Sequence, residues 1–175
     1  MPAKDDYIIR DLSEILGDSP PNKQINPISR YLCFAEQDTT PYLVPEKYIV
    51  DYKNYRHDIA HPNGTRSTTF TKAYGSNYII GTGSFLQTKR LDLQFEPDDQ
   101  TALLTLGLRF FTPMEIALLH ALPVQNSPFL RKNHTIKFDF PPETTIPQQY
   151  RLLGNSLNVA VVAHILRYLF SNSQF

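Results

Sequence analysis

The residues with the most suggestive chemistry lie between positions 68 and 84, where aromatic rings, a lysine and several hydroxyls are interleaved with three glycines. Aromatic faces can stack on nucleobases, hydroxyls and lysine can contact phosphates, and glycine lets a backbone approach a ligand closely. Because the pattern is neither a Walker A loop nor a G-x-G-x-x-G fingerprint, it predicts either a nucleic-acid-binding segment or a β-hairpin with glycine-rich ends. The candidate contacts are Phe70, Thr71, Lys72, Tyr74, Tyr78, Thr82, Gly83 and Ser84.

A second polar group precedes a long apolar run near the end of the sequence. Gly154 can adopt a positive φ at no steric cost, and Asn155 and Ser156 can cap the free N–H groups of a following helix. We therefore expect residues 150–158 to form a tight turn that leads into a helix. Because helix N-termini hold polar or anionic ligands, this stretch indicates a ligand site or, alternatively, a capped core helix. The apolar stripe of that helix consists of Val159, Val162, Ala163, Leu166 and Phe170.

Two other groups resemble metal or acid–base sites, but neither pattern is complete. His57 and His61 imitate the H-E-x-x-H zinc pattern, but Pro62 disfavours the helical backbone that would place both rings on one face. The acidic residues within 96–99 fit a solvated turn better than a catalytic pair. Cys33 is the single cysteine, so the sequence predicts neither a disulfide framework nor a thiolate zinc cluster. We expect no catalytic residue and no metal ligand in this chain.

Composition bounds the class of protein. A length of 175 residues with 41% hydrophobic and 19% charged residues indicates a globular chain of one ordinary domain or two small ones. The formal net charge is zero, but residues 1–60 carry 7 basic against 10 acidic side chains, and residues 61–137 carry 8 against 5. Any polyanion site is therefore expected in the second block. With no apolar run after the charged start, we expect no signal sequence, no membrane span, and a cytoplasmic location with the nucleus as a second compartment.

Proline and capping signals predict the elements that position these groups. Pro45, followed by Glu46, predicts a helix from there onward. Thr112, Pro113 and Glu115 occupy the N-cap, N1 and N3 positions of a capping box, which predicts a helix that ends near Ala121. A long proline-rich loop follows, and its basic residues are Arg131, Lys132, His134 and Lys137.

Three segments carry a resemblance to a known family. Residues 108–117 read Leu-Arg-Phe-Phe-Thr-Pro-Met-Glu-Ile-Ala, and residues 151–159 read Arg-Leu-Leu-Gly-Asn-Ser-Leu-Asn-Val. They resemble the ninth and tenth motifs of the cytosine-C5 methyltransferases. Phe-Thr-Lys-Ala-Tyr-Gly-Ser at 70–76, with Gly-Thr-Gly-Ser at 81–84, is similar to the target-recognition signature of the eukaryotic branch that methylates the anticodon loop of tRNA-Asp. The resemblance covers about residues 68–170.

This resemblance implies an α+β fold in which residues 1–40 are an N-terminal extension and linker. Residues 41–107 would form a small target-recognition domain. Residues 108–175 would supply the C-terminal helices that complete a Rossmann-like S-adenosylmethionine methyltransferase domain, the rest of which another chain supplies. In the family the last helix packs on the cofactor domain. The residues that would border the S-adenosylmethionine pocket are Asn155, Ser156 and Val159.

The sequence departs from the family pattern at two places. Thr69 stands where the branch normally has a cysteine before Phe-Thr. The Leu-Gly-Phe-Pro that follows the ninth motif has become Leu-His-Ala-Leu-Pro at 119–123, and the loop after it is longer. Both changes bear on how a nucleic acid would be placed.

The catalytic motifs of the family do not occur in the sequence. In the family, a thiolate from a Pro-Cys-Gln motif attacks C6 of an extruded cytosine, a glutamate from a Glu-Asn-Val motif acts at N3, and C5 then takes the methyl group. Cys33 lies in Leu-Cys-Phe-Ala and matches neither motif. We therefore expect this chain alone to be inactive. A catalytic partner carrying both motifs would share S-adenosylmethionine with it across an apolar interface of about 2,000 Å² or more.

Three functional hypotheses follow. In the first, the chain is an RNA-recognising, non-catalytic subunit of a split tRNA cytosine-C5 methyltransferase. In the second, it is a regulatory pseudoenzyme half that binds an intact methyltransferase or RNA without turnover, and in the third it is a truncated product without function. In the first, Phe70, Tyr74 and Tyr78 would stack on or wedge beside the extruded base. Lys72 would meet a phosphate or a base edge, and the basic loop would follow the tRNA backbone. The retained Asn155-Ser156 pair favours the first hypothesis, and Thr69 favours the second.

Overall fold

A computed structural model of the chain describes residues 25–32, 38–52, 55–96, 98–124 and 137–172. The chain divides into two compact units, Asn26–Asn158 and a smaller one made of Met1–Ile25 with Val159–Phe175. The described residues contain both helices and strands, as the α+β prediction requires. Cys33 and the basic side chains at 131, 132 and 134 lie outside the described residues.

Short helices surround the core of the larger unit. Two 3₁₀ turns, Ile28–Tyr31 and Thr40–Tyr42, come first. The helices within its described residues are α1 (Glu46–Val50), α2 (Gln100–Leu103), α3 (Pro113–Leu119) and α4 (Ile146–Gly154). Helix α1 follows Pro45 as predicted. Asp99 caps α2 by accepting from the backbone N–H of Ala102 at 3.0 Å, so this member of the acidic group has a structural role.

The capping box of α3 is confirmed. The Thr112 hydroxyl accepts from the Glu115 N–H at 3.2 Å, and the Glu115 carboxylate accepts from the Thr112 N–H at 2.8 Å. The helix ends at Leu119, and Ala121 then adopts a left-handed φ of 58°. This non-glycine residue therefore sits in a conformation that favours glycine.

A small parallel sheet links the middle of the chain to the ninth-motif segment. Strand β1 (Ile59–Ala60) pairs in parallel with β2 (Phe85–Leu86). Arg109 forms antiparallel bridges with both Leu86 and Leu43. The domain boundary predicted between residues 107 and 108 therefore falls inside the larger unit. The extended backbone at β1 also prevents His57 and His61 from sharing one helical face.

The turn predicted at residues 150–158 is wrong in its first half, because Tyr150–Gly154 forms the second half of α4. Gly154 has no positive φ. The N–H groups of Asn155 and Ser156 bond to the carbonyls of Leu152 and Leu153, so the two residues close α4 instead of capping the next helix. The helix begins earlier, at Ile146, after the N-cap residue Thr145, whose N–H donates to the Gln148 side chain at 2.8 Å.

Helix α5 (Val159–Asn172) belongs to the smaller unit. Several of its apolar side chains are exposed, including Val159, Leu166 and Phe170. By length and composition alone, the stretch Ile146–Ser171 is apolar enough to cross a membrane, with a mean hydropathy of 1.2. This is weak evidence, because α4 and α5 are interrupted at residues 155–158 and each is shorter than the roughly 20 residues that a span needs. The absence of a membrane span therefore stays a prediction.

Candidate nucleic-acid and cofactor site

Residues 68–84, which we call the recognition loop, form a series of turns. The Thr71 N–H donates to the Thr82 carbonyl at 2.9 Å, and the Thr68 N–H donates to the Ser84 hydroxyl at 2.8 Å. Within the loop, which is described throughout, there is no strand. The β-hairpin alternative is therefore wrong, and the loop is closed by these cross-links instead of by a ladder.

Two aromatic rings of the recognition loop face inward, which corrects their predicted stacking role. Phe70 and Tyr74 are both buried, with Tyr74 only 2% exposed. Phe70 packs edge-on against Tyr74 and Phe111, with ring centroids 5.0 and 5.2 Å apart. An extruded base cannot reach these faces in this structure. They stabilise the loop because burial of large rings in edge-on contacts is favourable.

The two hydroxyls at the end of the recognition loop form hydrogen bonds within the protein. Thr82 is buried and donates to the Ile79 carbonyl at 3.1 Å, and buried Ser84 donates to the Asp58 carboxylate. A Cβ on Gly83 would lie 2.6 Å from the Tyr74 ring, so only glycine fits there. The hydroxyls of Thr82 and Ser84 are therefore engaged within the protein, whereas the ligand contact predicted for Gly83 stays a prediction.

The outward face of the loop keeps the other candidates. Lys72 is exposed, Thr71 is half-buried and Tyr78 is 59% exposed. Lys137, the described member of the basic loop, is exposed as well. These side chains remain available to a polyanion. The predictions for Arg131 and Lys132 lie outside the described residues.

Two tyrosine hydroxyls, those of Tyr74 and Tyr150, form hydrogen bonds with the backbone of Phe111 in the ninth motif. Tyr74 Oη accepts from the Phe111 N–H at 2.8 Å and donates to the Ser84 carbonyl at 2.6 Å. Tyr150 Oη donates to the Phe111 carbonyl at 2.6 Å. Burial raises the pKa of both phenols, so both remain neutral donors at physiological pH. Phe111 of the ninth motif is thus bonded both to the recognition loop and to Tyr150, the residue directly before the tenth motif.

A buried ion pair lies beside this junction. Arg109 contacts both carboxylate oxygens of Glu115, at 2.8 and 2.7 Å, and also donates to the Phe110 carbonyl at 2.9 Å. Burial by itself would lower the pKa of Arg109, but the hydrogen bonds and charge of Glu115 outweigh it and raise that pKa. We call Tyr74, Tyr150, Phe111 and this ion pair the motif node. The sequence did not predict the node, although the capping box assigned Glu115 to the first turn of α3.

Two glycines let the tenth motif approach the recognition loop. A Cβ on Gly154 would lie 2.2 Å from the Lys72 backbone nitrogen and 2.2 Å from the Thr71 carbonyl carbon. A Cβ on Gly75 would lie 2.4 Å from the Tyr150 ring. Gly154 is therefore needed for close approach and not for an unusual φ. Its backbone rests directly against that of Lys72.

Two of the three predicted cofactor residues lie next to the contact between Gly154 and Lys72. Asn155 and Ser156 follow Gly154 and are exposed, and the Ser156 hydroxyl makes a 3.4 Å bond to the Leu157 carbonyl. An amide and a hydroxyl at a solvent-facing edge can bind the polar groups of a nucleoside or amino acid. Val159 begins α5, is 43% exposed, and is described with the smaller unit.

No protein-family model matches the chain. It is similar to the tRNA (cytosine(38)-C(5))-methyltransferase of Rattus norvegicus, 45% identical over 143 residues that make up 75% of this chain and 33% of the relative. The DNA (cytosine-5)-methyltransferase of Dictyostelium discoideum is 35% identical over 87% of this chain and 37% of its own length. The crystal structure of the Schizosaccharomyces pombe Dnmt2 methyltransferase has a TM-score of 0.70 and 28% identity, covering 94% of this chain and 48% of that one.

The chain is homologous to the C-terminal part of the tRNA (cytosine-38-C5) methyltransferases. It spans between about a third and half of the length of these relatives. Its structural neighbours are Dnmt2 methyltransferases, which have a Rossmann-like fold, and the Entamoeba histolytica methyltransferase EhMeth also matches, with a TM-score of 0.61 at 30% identity.

The strained residue after α3, Ala121, lies at a position where the family motif has glycine. When the final proline of the family's Leu-Gly-Phe-Pro is aligned with Pro123, its glycine falls on Ala121. Ala121 therefore has a left-handed backbone, which glycine tolerates best, at the position where the family motif quoted above has glycine. Thr69, which stands in place of the branch's cysteine, is exposed.

Proposed function

We propose that this chain recognises tRNA and closes the S-adenosylmethionine pocket of a cytosine-C5 methyltransferase whose catalytic half lies on a second polypeptide. That half would carry the Pro-Cys-Gln and Glu-Asn-Val motifs, which do not occur in this sequence. Homology to the C-terminal part of the tRNA (cytosine-38-C5) methyltransferases supports the reaction class. The tRNA-Asp anticodon loop is the substrate that the resemblance favours.

The contact at Gly154 carries this proposal. The backbones of Lys72 and Gly154 touch, so a nucleic-acid candidate lies beside the residues proposed to face the cofactor, Asn155 and Ser156. Methyl transfer requires the target base and the methyl donor to meet within a few ångströms. A fold that brings these two groups of residues together through a glycine suits that requirement.

Each exposed group has a defined role in this proposal. Lys72 binds a phosphate or base edge, Tyr78 stacks beside a splayed base, and Lys137 with Arg131 and Lys132 follows the tRNA backbone. Asn155 and Ser156 offer an amide and a hydroxyl to the polar atoms of S-adenosylmethionine, and the role predicted for Val159, which belongs to the smaller unit, is an apolar contact with the same cofactor. The cofactor supplies the methyl group. This chain orients the RNA and keeps water away from the transfer.

The apolar surface of α5 fits the expected partner. Val159, Leu166 and Phe170 are 43%, 45% and 71% exposed. Exposed apolar stripes of this kind mark protein interfaces. The catalytic partner would cover the stripe within an interface of about 2,000 Å² or more.

The proposal is tested by purifying the chain at its native level, identifying a copurified protein that carries the two catalytic motifs, and measuring methyl transfer to tRNA. In that complex, Lys72→Ala should abolish most tRNA methylation while the complex still assembles. Asn155→Ala should weaken S-adenosylmethionine binding but leave RNA binding intact. Unchanged methylation in the first variant, or unchanged cofactor affinity in the second, contradicts the assigned role.

A regulatory half is the second candidate, and two observations favour it. Thr69 replaces a cysteine on an exposed part of the recognition loop, and Ala121 carries backbone strain where the family has glycine. A regulatory half would bind an intact tRNA methyltransferase and change its turnover without adding activity to a catalytic fragment. Mixing the chain with a complete homologous enzyme separates the two functions.

A further inference from the structure

A cleft beside β1 has a cationic wall that the function proposed above does not use. Its volume is about 550 Å³. A second cavity of about 370 Å³ shares three of its lining residues, Ile59, His61 and Phe95, so the two cavities meet. Both lie within the larger unit. The polar or charged side chains that line the first cleft are Arg56, His57, Asp58, His61 and Arg66.

The two arginines of the cleft are available to a ligand. Both are exposed, and neither forms an ion pair or a hydrogen bond with any part of the chain that the structure describes. Arg109, in contrast, is fully engaged by Glu115. The one carboxylate in the lining, Asp58, already accepts from the Ser84 hydroxyl. Two exposed guanidinium groups in the lining of one cleft can bind the oxygens of a phosphate.

A buried histidine in the same lining has an unused nitrogen. His57 is only 4% exposed and packs between Tyr55 and Phe85, with ring centroids 5.0 and 5.4 Å away. Its Nε2 has no hydrogen-bond partner within the described chain. Buried polar atoms are nearly always paired in native proteins, so an unpaired one calls for an explanation. Because Nε2 is itself enclosed, His57 is a polar neighbour of the cleft that can report on its occupancy, and the ligand contacts come from the exposed arginines.

We propose that this cleft binds a backbone phosphate of single-stranded RNA, with Arg56 and Arg66 as the charged contacts. The choice of RNA rests on the proposed function. Phe95, half-buried where the two cavities meet, offers an aromatic face to the adjoining base. The Asp58–Ser84 hydrogen bond and the pairing of Ile59 with Phe85 connect the cleft to the end of the recognition loop. The RNA path therefore extends from the recognition loop to this cleft.

The first test measures binding of a fluorescently labelled single-stranded RNA to the full chain over a range of salt concentrations. The double variant Arg56→Gln/Arg66→Gln should reduce the slope of log K against log salt by about 0.7, the contribution of one phosphate, and each single variant should lose part of that. Lys89→Gln is the matched control, because Lys89 is exposed but lines neither cavity. A double variant with the wild-type slope and affinity would overturn the proposal.

The second test follows the ring signals of His57 by NMR while inorganic pyrophosphate is added. Wild-type protein should show saturable shifts that the double arginine variant loses, and their absence in the wild type would overturn the proposal. Arginine-dependent pyrophosphate binding without RNA binding would overturn the RNA assignment and give the cleft to a free phosphate compound. If RNA binds through the arginines but no partner complex methylates tRNA, the cleft stands and the proposed function fails.

Discussion

Tyr74 and Tyr78 lie four residues apart in the recognition loop, but the first is 2% exposed and the second 59%. Tyr74 belongs to the motif node, where its hydroxyl bonds to two backbone groups. The Tyr78 ring lies on the outer face with Lys72. One signature thus contains residues that hold the loop and residues that can contact a ligand, and only burial distinguishes them. Substitutions in the node should act on stability, and those on the outer face on binding.

The largest effect is expected from Glu115→Gln. This change leaves the Arg109 charge buried without its carboxylate, which should lower the free energy of unfolding by about 3–5 kcal/mol. Denaturant titration measures the loss. Adding Arg109→Met should recover part of it, since the pair is then neutral and the amide oxygen of the introduced glutamine can still accept from the Thr112 N–H. If the double variant is no more stable than the single one, the isolated charge is not the cause.

A matched pair of tyrosines tests the comparison directly. Tyr150→Phe removes the donor to the Phe111 carbonyl and should cost about 1–2 kcal/mol, because that carbonyl is then buried without its partner. Tyr78→Phe should change stability by less than about 0.5 kcal/mol. Urea midpoints of the two variants provide the measurement. Equal losses would remove the distinction between node and outer face.

A gain in stability is expected at the end of α3. Ala121→Gly relieves a left-handed backbone at φ 58° and should stabilise the protein by about 1 kcal/mol. Ala102→Gly in α2, where the backbone is helical, should instead cost about 1 kcal/mol. Thermal unfolding of both variants shows the sign of each change. A loss at position 121 would mean that the alanine side chain contributes more than the strain costs.

Local signals account for what the sequence predicted well. The capping box of α3 depends on residues three positions apart, so Thr112 and Glu115 were sufficient to locate the helix start. Gly154 predicts a turn where the structure has the end of α4, because the glycine serves close contact with Lys72, which is far away in sequence. A glycine that is needed because a side chain would not fit cannot be distinguished, from the sequence alone, from a glycine that is needed for a positive φ.

The candidate site was predicted only in part for a similar reason. The resemblance located the three motifs, but no periodicity within a loop of turns reveals which of Phe70, Tyr74 and Tyr78 faces inward. Tyr74 faces inward because it contacts Phe111 and Tyr150, which come much later in the chain. The cleft residues Arg56 and Arg66 are likewise ten positions apart, on either side of β1, and no pattern in the sequence places both in one lining.

The smallest effect concerns a buried group that lies outside the motif node. The polar side chains of the node are paired, whereas His57 Nε2 has no partner in the described chain, and burial lowers the pKa of His57 below its usual 6.5. The folded state therefore favours neutral His57, so its contribution to stability is complete above about pH 6.5 and is lost as the pH falls through the lowered pKa.

Urea titrations between about pH 7.5 and pH 5 should show this loss, and His57→Phe should make the dependence on pH weaker. His120, whose pKa burial also lowers and whose Nδ1 is unpaired within the described residues, should behave in the same way. A His57→Phe/His120→Phe variant should then have the weakest acid dependence of all. If both single variants keep the wild-type dependence, acid acts on other groups, and the contrast between a satisfied node and unsatisfied histidines has no energetic basis.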